Sequence, residues 1–174
     1  MLMIGGLLAV SAMTACDDEG EGPQASSSPT LQAPTADARD VAEKRAVEAY
    51  RGMWRAFADA GAAGNPEHPD LPRFAEGTAL RALVSGLQAN KKQGLISRGD
   101  IVYSPRVTAV TSVSAPTEVT IVDCADTSKA KRVKASGAPF QDAPGGRRLI
   151  RATVRGGDDA WNVTTFAVNE VGSC

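Results

Sequence analysis

Few side chains in this sequence are equipped for chemistry, and their spacing assigns none of them to a reaction. The only histidine, His68, lies between Glu67 and Pro69 in a proline-flanked loop. An imidazole beside carboxylates has the donor types of a metal site, but a lone loop histidine reads as a solvent-exposed residue. Asp123 stands inside the strand-like run TEVTIVDC. Alternation puts it on the side opposite Val122 and Cys124. Turned inward it is a buried carboxylate and a candidate general base; with Val122 inward it faces solvent or an arginine. Cys124 favours neither orientation. Tyr103 offers a hydroxyl but precedes Pro105, where a strand edge is expected. No phosphate-binding glycine loop, zinc-ligand spacing or nucleophile elbow occurs. We therefore assign no catalytic residue, no metal ligand and no cofactor.

The elements that must position these residues come in a simple order. Residues 37–60 predict a first helix, with Val47, Tyr50, Trp54 and Phe57 at spacings of three and four. Thr35 or Asp37 caps its start, and Gly61 and Gly64 end it. Tyr50, Trp54 and Phe57, together with Trp161, are the candidate lining of a pocket, although such a stripe ordinarily belongs to a core. Residues 61–77 form a loop with a short turn at 71–75. Residues 78–93 predict a second long helix burying Leu80, Leu83, Val84 and Leu87. The second half reads as β: 100–113, interrupted by Pro105; 117–124; a short strand near 132–135 in a polar stretch; and a hairpin over 147–168. In that hairpin Gly156-Gly157 is the expected turn, with Ala152 facing Trp161 and Ile150 facing Val163. A four-residue turn keeps the same two faces and slides the pairs. Helices first and strands afterwards argue an α+β fold with an antiparallel sheet.

Residues 1–15, MLMIGGLLAVSAMTA, are apolar and uncharged, and too short to span a bilayer, which takes roughly 20 residues. They fit the apolar region of a secretory signal. The end of this run, Met13-Thr14-Ala15-Cys16, resembles the lipobox of bacterial lipoproteins, with Met13 where Leu is commoner. That resemblance implies cleavage before Cys16 and transfer of a diacylglycerol to its sulfur. Residues 16–36 are then the lipidated cysteine and a Gly-, Pro-, Ser- and acid-rich tether with one large apolar residue, Leu31. With Cys16 consumed, two of the three cysteines remain. An even pair in an exported domain tends to oxidise, so Cys124 and Cys174 are expected to form a disulfide.

From residue 37 to 174 the chain resembles small secreted proteins and lipoproteins of actinobacteria, such as streptomycetes, with a nuclear transport factor 2-like domain. The resemblance is carried by QGLISRG (93–99), SPRVT (104–108), VDCADTS (122–128), WNVT (161–164) and Cys174. It implies a curved antiparallel sheet wrapped by two or three helices into a cone open at one end.

Formal net charge is −1, so bulk electrostatics imply no nucleic-acid partner. Two basic clusters, Lys129, Lys131, Arg132 and Lys134, and Arg147, Arg148, Arg151 and Arg155, read as solvated edges with a capacity for anionic lipid heads or wall polymers. The expected protein is anchored to the outer face of the cell membrane through Cys16. Its single domain, 37–174, binds a protein, a cell-wall component or a small apolar ligand. An isomerase- or cyclase-type enzyme using the cone cavity is the alternative. The oligomeric state stays open.

Overall fold

A computed structural model of the chain describes residues 36–111, 115–156 and 160–174. The expectations for residues 1–35, Cys16 and its signal and tether included, lie outside these, as does Gly157, the second glycine of the expected turn. Three helices precede six strands and pack against antiparallel sheets, with no closed barrel among the described residues. This is the α+β class, consistent with a nuclear transport factor 2-like arrangement.

Helix α1 (Ala36–Ala63) buries Ala42, Ala46, Ala49, Tyr50, Met53, Trp54, Ala56 and Ala60, a stripe at spacings of three and four. The alanines bring the helix close to the sheet, and the aromatics fill what remains. Gly61 does not end the helix. It lies within it because a Cβ there would sit 2.7 Å from Ser97 Oγ. Gly64 provides the stop at φ 65°, a left-handed conformation that glycine adopts without penalty. Helix α2 (Leu71–Phe74) is one turn that buries Leu71. Helix α3 (Gly77–Lys92) buries Ala79, Leu83 and Leu87. Leu80 and Val84, expected inside, are half-buried, because the helix is rotated to seat Ala79 against the core.

Strand β1 (Leu95–Arg98) pairs antiparallel with β4 (Lys131–Lys134) in a small sheet. At four residues β1 is too short to show a period, which is why the sequence does not announce it. The main sheet has the order β2–β3–β5–β6. Strand β2 (Arg106–Thr111) begins directly after Pro105 and is an edge strand with a bulge between Val107 and Ala109. Strand β3 (Glu118–Asp126) alternates regularly, burying Val119, Ile121, Asp123 and Ala125.

Strands β5 (Arg147–Gly156) and β6 (Trp161–Val168) bury Ile150, Ala152, Trp161 and Val163 on one face. The expected two-glycine turn is corrected: Gly156 belongs to β5 and pairs with Trp161, Arg155 pairs with Asn162, and Val154 pairs with Val163. The faces survive because the slide is even-numbered. The Trp161 ring lies over Gly156, where any Cβ would collide with it. One residue further in, the register shifts between Thr153 and Val154, and Ala152 pairs with Phe166. Thr164 is the extra residue, and its hydroxyl donates to the Thr153 carbonyl at 3.3 Å. This bulge turns Phe166 and Val168 to the inner side with Ala152 and Ile150, which plain alternation from Val163 would not do.

Cys124 and Cys174 are joined by a disulfide, with Cα atoms 5.9 Å apart. Beyond β6 the chain returns along the start of β5. The Asn169 N–H donates to the Leu149 carbonyl (2.9 Å) and the Gly172 N–H to the Arg147 carbonyl (2.8 Å). The Leu149 N–H donates in turn to Ser173 Oγ (2.8 Å). No described helix is long and apolar enough to cross a membrane.

The disulfide separates its cysteines by 50 positions. Chain entropy values such a closure at about 4 kcal/mol. Replacing Cys174 with Ser should lower unfolding stability by up to about that amount in urea titrations. The denatured, unreduced full-length chain should show no reactive thiol other than an unlipidated Cys16; two further thiols would exclude the bridge.

Candidate functional site

The site is assembled around Asp123, which is 1% exposed and whose two carboxylate oxygens each accept a hydrogen bond. Its orientation follows from the strand. Glu118, Thr120, Val122 and Cys124 take the outer face of β3, and Val119, Ile121, Asp123 and Ala125 take the inner one. Of the two orientations open to the sequence, the structure has Asp123 inward. Pro105 explains the rest. It has no N–H to give a ladder, so the chain leaves β3 between the Arg106–Val122 pair and the isolated bridge of Val102 with Asp126. In that gap the Ser104 N–H donates to Asp123 Oδ1 at 2.8 Å. From the other side Tyr50 of α1 donates its hydroxyl to Asp123 Oδ2 at 2.9 Å. Burial, and next the negative charge of Asp123, push the Tyr50 hydroxyl well above its ordinary pKa, so it stays protonated and donates. Tyr103 is pushed up by the same two causes in the same order.

Around this pair the aromatic side chains pack together, one pair stacked and the others edge to face. Trp54 is the hub. It stacks on Tyr103 (5.6 Å between centroids, 14° between planes) and meets Phe57 at 5.9 Å, Phe166 at 5.2 Å and Tyr50 at 6.2 Å. Such pairs add about 0.5–1.5 kcal/mol each beyond the area they bury. One face of this cluster is the wall of a cavity of about 320 Å³. Trp54, Phe57, Ile101, Tyr103, Ile150 and Phe166 give it its apolar character, and Arg148 and Val168 also line it.

Of the candidate pocket residues, Trp54 and Phe57 line the cavity; Tyr50 and Trp161 do not. Tyr50 is fully buried on Asp123, and Trp161 packs on Gly156 at the turn end of the hairpin. Tyr103 is not a mere edge residue but part of the wall. Phe166 and Ile101 were missed: the first is hidden by the bulge, and the second precedes a strand rather than lying in one. His68 is half-buried, and its Nδ1 accepts a 3.4 Å hydrogen bond from the Asp70 N–H. The second arginine cluster divides. Arg147, Arg151 and Arg155 are exposed on the outer face, whereas Arg148 reaches the cavity. Arg155 pairs with Glu118 at 2.6 Å.

No protein-family model matches the chain, and no curated protein matches it. Among solved structures, the chain is similar to the intermembrane space region of the chloroplast protein ARC6, at 17% identity and a TM-score of 0.48. That match covers 78% of this chain and 98% of the other.

The Tyr50–Asp123 contact makes a stability prediction. Tyr50→Phe keeps the ring and removes one donor from a buried carboxylate. It should cost about 1.5–3 kcal/mol in urea unfolding, the range for hydrogen bonds to charged groups. A change under about 0.5 kcal/mol would show that the carboxylate is satisfied without Tyr50.

Proposed function

We propose that this chain is a lipid-anchored surface protein whose domain is a non-catalytic binding module for a small apolar ligand. Cys16 carries the lipid, residues 17–36 form the tether, and the domain stands off the outer face of the cell membrane. In this reading the domain is one of the nuclear transport factor 2-like domains of actinobacterial secreted lipoproteins that residues 93–99, 104–108, 122–128 and 161–164 and Cys174 resemble.

The observation that carries the binding reading is the division between wall and chemistry. The cavity wall is made of Trp54, Phe57, Ile101, Tyr103, Ile150 and Phe166. The buried carboxylate lies behind that wall, with Oδ1 bonded to Ser104 and Oδ2 to Tyr50. A general base needs a free lone pair within hydrogen-bond reach of a substrate proton. Each Asp123 oxygen already accepts one bond from the protein, and the residue is 1% exposed and outside the cavity lining, so a ligand there does not reach it. Apolar pockets with few polar groups at the margin are typical small-ligand sites, and about 320 Å³ falls at the lower end of their size range.

The isomerase or cyclase reading has one observation in its favour: a buried acid flanked by two tyrosines, of which Tyr103 does reach the cavity. The same geometry weighs against it, because the acid serves the fold.

Two measurements test the proposal. Cys16→Ser should move the full-length chain out of the membrane fraction. Retention with unchanged cleavage would remove the lipid anchor from the reading. For the cavity, the probe is N-phenyl-1-naphthylamine, which fluoresces in apolar surroundings. Wild type should bind about one equivalent. Val168→Asp, at a cavity residue already 44% exposed, should weaken binding at least tenfold while the chain stays folded by circular dichroism. No enhancement with wild type would sink the binding reading.

A further inference from the structure

The aromatic wall has a second side. Trp54, Phe57, Ile101 and Tyr103 line the apolar cavity and also a neighbouring recess of about 650 Å³. The two spaces therefore share these four side chains and differ in everything else. The first is lined almost wholly by apolar groups. The second is rimmed by charge: Arg51, Arg55, Arg98, Lys131 and Arg132 against Asp59, Asp100 and Asp142.

Pairing removes one cation and one carboxylate. The Asp142 Oδ2 accepts the Arg132 N–H, and its Oδ1 accepts the guanidinium through Nε at 2.9 Å and through Nη2. The bonds from the Arg132 side chain, foremost, hold the Asp142 carboxyl below the usual carboxylate range. Four cations then face two carboxylates across the recess. Arg98 donates to the Ala62 and Ser97 carbonyls, which orient its guanidinium without cancelling its charge. Among the described residues Arg51, Arg55 and Lys131 make no ion pair. Arg51 and Arg55 are exposed and one turn apart on α1, on the same helix face. Two guanidiniums at that spacing match a carboxylate or phosphate, which they bind by forked hydrogen bonds.

An apolar slot that shares its aromatic wall with a cationic vestibule fits one ligand shape. We propose that the ligand is a single-chain amphiphile with an anionic head, its alkyl chain in the 320 Å³ cavity and its head at Arg51 and Arg55. This rests on the cavity-binding reading above and narrows its ligand class. A neutral apolar ligand leaves the vestibule unused, and a cationic head meets like charge. The modest size of the slot suits one chain rather than two.

Isothermal titration of the full-length chain carrying Cys16→Ser, purified without detergent, separates the possibilities with three probes that share a ten-carbon chain: decanoate, decan-1-ol and decyltrimethylammonium. At low salt decanoate should bind roughly tenfold tighter than decan-1-ol, with the ammonium weakest, as expected for two exposed charge contacts. The margin should shrink as salt is raised to about 0.5 M, where screening is strong. In Arg51→Gln/Arg55→Gln the advantage of decanoate over the alcohol should fall to within about twofold. Equal binding of decanoate and decan-1-ol by the Cys16→Ser chain overturns the anionic head while leaving the cavity reading intact. Failure of all three to bind overturns the cavity reading and this inference together. An advantage for decanoate that survives in the double variant overturns the assignment of the head to Arg51 and Arg55. Both arginines are exposed, so an unchanged melting temperature checks that the variant is folded.

Discussion

One hydrogen bond, from the Tyr50 hydroxyl to Asp123, organises the molecule. A carboxylate at 1% exposure is expensive to bury, and it persists only where its oxygens are satisfied. Here two separate parts of the chain supply the donors: the long helix through Tyr50, and the segment between β1 and β2 through the Ser104 N–H. The carboxylate thus fixes how α1 lies on the sheet and where residues 101–104 run. Apolar packing alone is not directional. Two directed bonds to one acid are, and they set the rotation of α1 that brings Trp54 and Phe57 to the cavity side.

From that rotation the rest of the site follows. With Tyr50 held on β3, the next residues on the same helical stripe are Trp54 and Phe57. They project toward Tyr103 and Phe166 and close the aromatic cluster. Residues 51 and 55, a step round the helix, point to solvent at the edge of the same wall. One helix therefore contributes the buried anchor, the apolar wall and the charged rim, in that order around its circumference. This is why the acid is better understood as a structural tie than as a reagent. Using it for proton transfer would break the contact that positions the cavity.

Much of this was legible in the residues. The stripe at Tyr50, Trp54 and Phe57, the alternation of the last two strands and the order of helices before strands all follow from periodicity, because long elements repeat their signal. The sequence left both orientations of Asp123 open, because Val122 and Cys124 offset Glu118 and Thr120 on one side of β3; the packed strand puts it inside with Val119, Ile121 and Ala125. What stayed hidden was local or tertiary. Strand β1 is four residues long and reads as nothing until β4 comes beside it. Gly61 looks like a helix stop but is a contact point for Ser97. Simple alternation from Val163 puts Phe166 and Val168 on the outer side, and the bulge that turns them inward leaves no composition signal. The cavity itself belongs to no single segment: its lining comes from α1, α3, the stretch before β2, and β3, β5 and β6.

The extra residue at Thr164 makes the last strand forgiving of one change of length. It is the residue without a ladder partner, so losing its codon would leave Val154–Val163, Thr153–Thr165 and Ala152–Phe166 paired as they are, in a ladder that has become regular. Phe166 and Val168 would stay on the cavity side. Straightening the bulge with every residue kept is the change that would turn both of them outward. The cavity is thus buffered against a single deletion in the strand that closes it.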